Sequence, residues 1–574
     1  MHMEKLWSIR KAVTPDVLAQ FPEMHPVVVQ LLVNRGITTQ AEIEKFLTPD
    51  YQTDSHDPFL FRDMRKAVDR IFQAAEKKEQ VVIYGDYDAD GVSASSILQE
   101  MCETIGINPH VHLPHRGKEG YGMNMPAAKE FIKQKKDLVI TCDCGVTSIE
   151  EITALQEAGI DVIVTDHHSE PEKIPPAFAI LNPELKNETY PFKGLVGTGV
   201  TFKLAQAVFS EARKRNIDVP EGKEKWLLDL VAIATIADFG DLIDENRTFT
   251  SFGLLVLEKT RRPGLRALKE YMNGSFSEIT TESVAFQLIP RLNAASRMDH
   301  ANTAFQLLTE TDAVQAFALA QELQKLNQER QKVSDRMFVE SKKQIGEHPE
   351  DKLLVAVGQG WQAGIVGLVA GKLLHIYNRP VLVIGIHKNE IVGSGRSIEA
   401  FDVTKALHNA KDHLEKFGGH PQACGFTVKK DHLDAFVDSM KAQAKKIKEA
   451  SLQSDLHIDA LLELDQVNWE LWDDLQKFEP FGEHNSQPVF ACPRVVVESI
   501  RSVGKSGQHL QIMVKHNSEI IRKTIAFGFA LEWSKNLPQG REIDIAFEIS
   551  LNEWNGNREL QLKIVDIHES KSGS

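Results

Sequence analysis

The chain has 574 residues, 42% of them hydrophobic and 26% charged, with a formal net charge of −15 at pH 7. A length well beyond the ~100–200 residues of one domain predicts three or four cores, and no apolar run approaches the ~18 residues needed to span a bilayer, so a soluble protein is expected. The acidic total excludes a surface coated with basic residues but leaves room for a local basic channel, because binding follows the field along a groove and not the sum.

The first residues, MHMEKLWSIRKAVTPDVL, contain no long apolar stretch followed by small residues, so no secretory signal is expected. Residues 1–75 mix short helical patterns with polar breaks and read as an N-terminal extension. Five cysteines (Cys102, Cys142, Cys144, Cys424 and Cys492) form no CxxC pair, which points to reduced thiols in a cytoplasmic protein.

From residue 81 the short apolar runs VVIY (81–84), LVIT (138–141) and VIVT (162–165) alternate with amphipathic stretches such as SIEEITALQEAG, the pattern of βαβ units around a parallel sheet. Each run ends in acidic residues: Asp86 after the first, Asp143 after the second, Asp166 with His167 and His168 after the third. Ligands of open α/β sheets bind outside the carboxyl ends of the strands, so three segments deliver polar groups to one edge.

The segment DYDADG spaces Asp86, Asp88 and Asp90 as a calcium loop would, with Gly91 sixth, but Ile97 stands where a bidentate Glu is needed and a strand precedes the loop instead of a helix. Asp86, Asp88, Asp90, Asp143, His167 and His168, with Asp238 from WLLDLVAIATIADFGDL (226–242), form the candidate site. Facing carboxylates repel and take up protons unless a cation neutralises them. Oxygen ligands with one or two imidazoles suit Mn²⁺ or Mg²⁺, and a pair of ions about 3.5–4 Å apart is the usual device for hydrolysing a phosphodiester. For any single residue helix capping is the competing role: Asp90 or Ser93 for a helix starting near Val92, Asp143 ahead of Thr147.

Residues 301–345 are charged, Gln-rich and helical in period, and predict one long connecting helix. A second α/β pattern begins at KLLVAVGQGWQAGIVGLVAGKL, and after about residue 480 four or five short strands predict a small barrel or sandwich. Neither GLVAGKL nor Gly504-Lys505-Ser506 has P-loop spacing. HLPHRGKEGYGMN, with Arg116 and Lys118, and GSGRS, with Ser394 and Arg396, combine cations with flexible glycines and suit anions, though either alone can be a solvated turn. By its residues alone, His420 in KFGGHPQACGF reads as a core or turn histidine.

The order DYDADG, TCDCG, VTDHH, ATIADFGD resembles the four motifs of the DHH phosphoesterase superfamily, and GWQAGIVGLVAGKL, GSGRS and GGHPQACGF resemble its DHHA1 partner domain. With PRLNAASRM and a C-terminal β-domain, the chain resembles the branch of single-strand-specific 5′ to 3′ DNA exonucleases acting in DNA repair and recombination. The resemblance implies an α/β fold: a parallel-sheet DHH domain (76–300) joined by a long helix (301–345) to a smaller α/β DHHA1 domain (346–450), plus an all-β OB-like barrel (455–570). It implies two Mn²⁺ or Mg²⁺ ions on Asp88, Asp90, Asp143, His167 and Asp238, with Asp143 bridging, His168 facing the phosphate, and Asp86 catalytic but outside the ligand set. It also implies a 5′-phosphate pocket of Arg116, Arg297, Ser394, Arg396 and His420.

Two departures stand out: Ser296 replaces an expected Gly beside Arg297, and Tyr84 stands where the pyrophosphatase branch has a ligand His. The barrel is expected to hold single-stranded DNA through Arg494, Arg501, Lys505, Lys515, Arg522 and Lys523, with Phe527, Phe529 and Trp554 as stacking or core aromatics. A single-strand-binding protein and a RecQ-type or other helicase are the expected partners, with no membrane. A phosphodiesterase for short RNA or cyclic dinucleotides, and a DHH protein that only binds DNA, are the rival readings; the β-domain and the intact acidic motifs weigh against them.

Overall fold

The computed structural model describes residues 5–570 apart from 273–278, 348, 388–389, 505–506, 517–519, 534–537 and 555. It divides into two compact units, Thr48–Lys332 with Pro480–Ser486, and Met1–Leu47 with Val333–Glu479 and Gln487–Ser574.

In the first unit the apolar runs become strands Val81–Tyr84, Leu138–Cys142 and Asp161–Thr165, joined by His110–His112 and Ala179–Leu181. All pairings are parallel, in the order His110–His112, Val81–Tyr84, Leu138–Cys142, Asp161–Thr165, Ala179–Leu181. Alternate residues serve opposite faces. Val81, Ile83 and Ile140 join the larger core, while Val82, Tyr84 and Val139 join the smaller one under helices Met125–Lys133 and Ile149–Glu157. Burial on both faces is why these strands read as continuous apolar runs. The strand order reverses between Val81–Tyr84 and Leu138–Cys142, and the crevice at such a reversal is where this architecture binds ligands. Behind the sheet, Lys203 and Glu245 form an ion pair at 2.8 Å with both side chains wholly buried.

In the second unit, Leu354–Gln359, Val381–His387, Glu390–Arg396, Ala423–Val428 and Leu414–His420 form a mixed five-stranded sheet in that spatial order. The C-terminal strands Phe490–Val503, His509–Lys515, Ile521–Ala526, Asn557–Glu569 and Glu542–Trp554 close into a barrel, because Phe490–Val503 also pairs with Glu542–Trp554. The parallel contact between Ile521–Ala526 and Asn557–Glu569 completes an OB-like topology.

Two expectations need correction. The N-terminal segment is not a separate extension: Leu6–Ile9 pairs in parallel with Asp455–Ile458 and the Asn34 side chain donates to the Asp459 carbonyl, whereas Met64–Lys77 packs into the core of the first unit. The connecting helix is two helices, Asn302–Thr309 and Ala313–Ile345. Between them Glu310 accepts from the amides of Thr311 and Asp312, and Asp312 accepts from Val314 and Gln315, so local side chains satisfy the backbone that a continuous helix would have used. All five cysteines are buried and free, as expected from their spacing.

Candidate metal centre

The sharp turn after Val81–Tyr84 depends on two glycines. A Cβ on Gly85 would lie 2.0 Å from Ser95 Oγ, and one on Gly91 2.7 Å from the Asp86 backbone. Asp88 caps the following helix, Ala89–Thr104: its Oδ1 accepts from the amides of Asp90 and Gly91. The cap is therefore Asp88, and neither Asp90 nor Ser93, because the helix begins three residues before Val92. Asp90 is buried and accepts from the amides of Gly197 (2.8 Å) and Thr198 (2.7 Å), at the start of the helix Gly197–Lys214. Those donors, 107 and 108 residues away, were missed in the sequence, where only the glycines of GLVGTGV hint at a close approach.

Asp143 is buried, in a left-handed backbone conformation (φ 59°), and a Cβ on Gly197 would stand 2.5 Å from its Oδ1. His167 Nε2 lies 3.1 Å from Asp143 Oδ1, 3.5 Å from Asp238 Oδ2 and 3.9 Å from Asp90 Oδ2. Asp238 is the C-cap of Leu228–Ala237.

These side chains gather into sets whose potential ligand atoms lie within 4.8 Å of one another: Asp86, Asp88 and Asp143; Asp90, His167 and Asp238; Asp143, His167 and His168. Asp143 links the first set to His167 of the second. Asp86, which the resemblance leaves outside the ligand set, stands inside the first, and its Oδ1 is buried with no hydrogen-bond partner among the described residues. Tyr84 cannot take its place: its buried hydroxyl donates to the Gly122 carbonyl.

Burial, then the charges of neighbouring carboxylates, pushes Asp86 and Asp143 well above the usual carboxylate range and Asp238 up to about 8. Burial also holds His167 below the ordinary imidazole value. An imidazole whose burial disfavours protonation, among carboxylates that resist ionisation and with one orphaned carboxylate oxygen, is a donor set that fits divalent cations.

His168 is arranged differently. Asp166, wholly buried, accepts from the amides of His167 and His168, from His168 Nδ1 (2.7 Å) and from the Val146 amide. Burial opposes charge on His168, but this bond and the Asp166 charge prevail and hold its pKa above the ordinary value. Tyr121, half exposed, places its hydroxyl 2.9 Å from the same nitrogen. Asp166 and Tyr121 are functional candidates that the sequence reading passed over; the acid preceding the two histidines was the available signal.

Arg116 lies over the Tyr87 ring at 4.7 Å, and its Nη1 is buried with no hydrogen-bond partner among the described residues. Arg297 is one turn beyond Asn293, whose Oδ1 accepts from the Ala89 amide, and its charge also reaches Tyr87. Ser296 is buried, so the departure from Gly is accommodated within that helix. Ser394 and Arg396 belong to the other unit, where Arg396 Nη1 donates to Ser394 Oγ at 3.0 Å. His420 pairs with Ala423, which pairs with Arg396, so the three share one row across the sheet. His420 is an exposed strand-end residue there, not a core histidine.

The barrel residues divide. Arg522 is spent on the Leu464 and Val467 carbonyls, Lys523 pairs with Glu559, and Phe529 is core. Arg494 and Arg501 are exposed, as is Phe527, whose ring meets His509. Lys505 and the Trp554 side chain lie outside the described residues.

A switch-point acidic cluster, a second α/β domain and a closed barrel define a DHH-type protein with an appended nucleic-acid-binding fold. Family descriptions agree: "DHH family, N-terminal domain" matches residues 80–235, "DHHA1 domain" 350–446 and "RecJ OB domain" 458–566. The chain belongs to the RecJ family. It is 35% identical over 576 residues to the single-stranded-DNA-specific exonuclease RecJ of Bacillus subtilis, covering 98% of this chain and 71% of that one. It is 31% identical to the Haemophilus influenzae RecJ, covering 95% and 96%. Among solved structures, RecJ of Thermus thermophilus in complex with Mn²⁺ matches with a TM-score of 0.84 at 28% identity, covering 99% of this chain and 80% of that one.

Proposed function

We propose that this chain is a metal-dependent exonuclease that releases mononucleotides from the 5′ end of single-stranded DNA in repair and recombination. The observation that carries the reading is the pair of acidic sets joined through Asp143 at the switch point of the sheet. Asp86, Asp88 and Asp143 would hold one cation, and Asp90, Asp143, His167 and Asp238 the other. When bound, Mn²⁺ or Mg²⁺ supplies Lewis-acid stabilisation of charge on the phosphodiester.

The chain's own residues do the rest. Gly197 and Thr198 amides fix the Asp90 carboxylate, and the packing around Asp86 and Asp143 buries both from solvent. His168, whose pKa the bond to Asp166 holds above the ordinary imidazole value, is suited to donate a hydrogen bond to a phosphoryl oxygen. Polarity is assigned to anion-binding residues, Arg116 and Arg297 in one unit and Ser394, Arg396 and His420 in the other, as contacts for a terminal 5′ phosphate; Arg116 Nη1, without a partner among the described residues, supports a bound anion. The barrel would hold the incoming strand. A single-strand-binding protein and a helicase in the cytoplasm are the fitting partners; no helix among the described residues is long and apolar enough to cross a membrane.

The test is digestion in Mn²⁺ of oligonucleotides labelled at either end: single-stranded DNA, duplex DNA, RNA and a dinucleotide. Mononucleotides released progressively from the 5′ end of single-stranded DNA are expected. Preference for the dinucleotide, or release from the 3′ end, would overturn the assignment.

A further inference from the structure

Directly after Asp238 comes Phe239, whose conformation is unusual for its type. Its φ is 53°, and 77% of its surface is exposed. The Gly240 amide donates to the Thr235 carbonyl at 2.9 Å, the six-to-one bond of a helix C-terminus in which the residue past the cap is left-handed and is normally Gly. A bulky side chain in that position costs free energy, and exposure to water returns none. The glycine of this motif stands one place later. There it serves packing, since a Cβ on Gly240 would lie 2.7 Å from Val196 Cγ1.

The turn is braced so that the strained conformer persists. The Leu242 amide donates to the Glu483 carbonyl at 2.9 Å, His484 Nδ1 lies 2.7 Å from Asp241 Oδ1, and Gly482 packs against Leu242 with no room for a Cβ. The short segment Pro480–Ser486 thus belongs to the same compact unit as the acidic centre and clamps the turn that follows Asp238. An aromatic ring held out into water, next in sequence to a candidate metal ligand, suits a partner that is planar and apolar on its faces.

We infer that Phe239 is a base-stacking platform, a positioning residue that holds the nucleobase of a single strand while its phosphodiester lies over the carboxylates. The inference rests on the nuclease reading above. Inside a duplex both faces of a base are already stacked on its neighbours, so this platform would add to the preference for unpaired strands, and it would tolerate any base because each has a π-face.

The test compares kcat/KM on two 5′-phosphorylated strands of equal length, one oligothymidylate and one whose nucleotides are abasic, for the full chain and for Phe239→Gly and Phe239→Trp. Stacking of one base is worth ~1–3 kcal/mol, about 5- to 150-fold. Phe239→Gly should shrink the preference for the base-bearing strand by a factor in that range, mainly through KM, while Phe239→Trp keeps it. Phe239→Gly should melt no lower than the parent, because Gly is at ease at positive φ. An unchanged preference, or an equal loss on both strands, would remove Phe239 from substrate contact, and a large fall in melting temperature would make it a structural residue. If the parent chain hydrolysed neither strand, the nuclease reading itself would fail.

Discussion

Asp166 Oδ1 accepts a hydrogen bond from His168 Nδ1 at 2.7 Å while its other oxygen holds the Val146 amide at 2.9 Å, so one buried carboxylate ties the imidazole to the sheet edge. Asp166→Asn should lower kcat by ~10–100-fold, the usual loss when an outer partner of a metal-site residue is removed. The bond raises the His168 pKa against the opposing effect of burial. Without it His168 loses its proton at lower pH, and the alkaline limb of the pH–rate profile should move down. A uniform loss of rate with the limb in place would mean that His168 is not the group that titrates.

Asp143 stands between the two acidic sets, and no neighbour can replace a residue in that left-handed position. Asp143→Ala should cost more than the ~10–100-fold expected of an outer partner, with the fold retained. Asp86→Asn should also lose activity, recovered partly at high Mn²⁺, since its orphaned oxygen serves one set only. Turnover against Mn²⁺ concentration distinguishes the two.

The acidic centre makes stability depend on pH with an unusual sign. Asp86, Asp143 and Asp238 have folded-state pKa values above their unfolded ones, Asp238 at about 8. Between the unfolded carboxylate range near pH 4 and about pH 8 the folded state therefore binds more protons than the unfolded chain, and stability falls as pH rises. Chelator-treated protein should melt lower at pH 8 than at pH 5. Added Mn²⁺ should raise the melting temperature most at the higher pH, where cations replace the protons. A metal effect independent of pH would contradict the assignment of these carboxylates as ligands.

Lys203 and Glu245 are wholly buried together, and Tyr190 and the His56 carbonyl complete their hydrogen bonds. Removing one charge leaves the other unpaired. Lys203→Ala should cost ~3–5 kcal/mol in urea unfolding, whereas an apolar pair of similar volume at both positions should be nearly neutral.

In the barrel, Arg501 and Arg522 should behave oppositely although both are arginines on strands. Arg522→Ala should destabilise the domain, because it leaves two backbone carbonyls bare. Arg501→Ala should leave melting unchanged and flatten the salt dependence of single-strand binding by ~0.7 for each phosphate that Arg501 neutralises. Filter binding at several salt concentrations measures this.

The acidic edge was legible because buried parallel strands are short apolar runs and the residue after each run must emerge at one end of the sheet. What contacts each acid was not. Asp90 is held by amides more than a hundred residues downstream, and a backbone donor carries no signature beyond a glycine. The capping role of Asp88 was misplaced because the helix was expected to start near Val92 and in fact starts at Ala89. Arg522 shows the same limit from the other side, since the sequence displays a charge and not the carbonyls that consume it. The break before Ala313 came from ordinary acids acting as caps, without the Gly or Pro that usually announces one.

The parallel pairing of Leu6–Ile9 with Asp455–Ile458 joins partners some 450 residues apart in the chain. During synthesis at ~5–20 residues per second, the first strand would wait about 20–90 s for its neighbour to leave the ribosome. Its unpaired edge stays open to other strands throughout, while the parallel sheet of the acidic centre has already been made in full. Translation speed over the middle of the message thus becomes a variable in whether these two strands find each other.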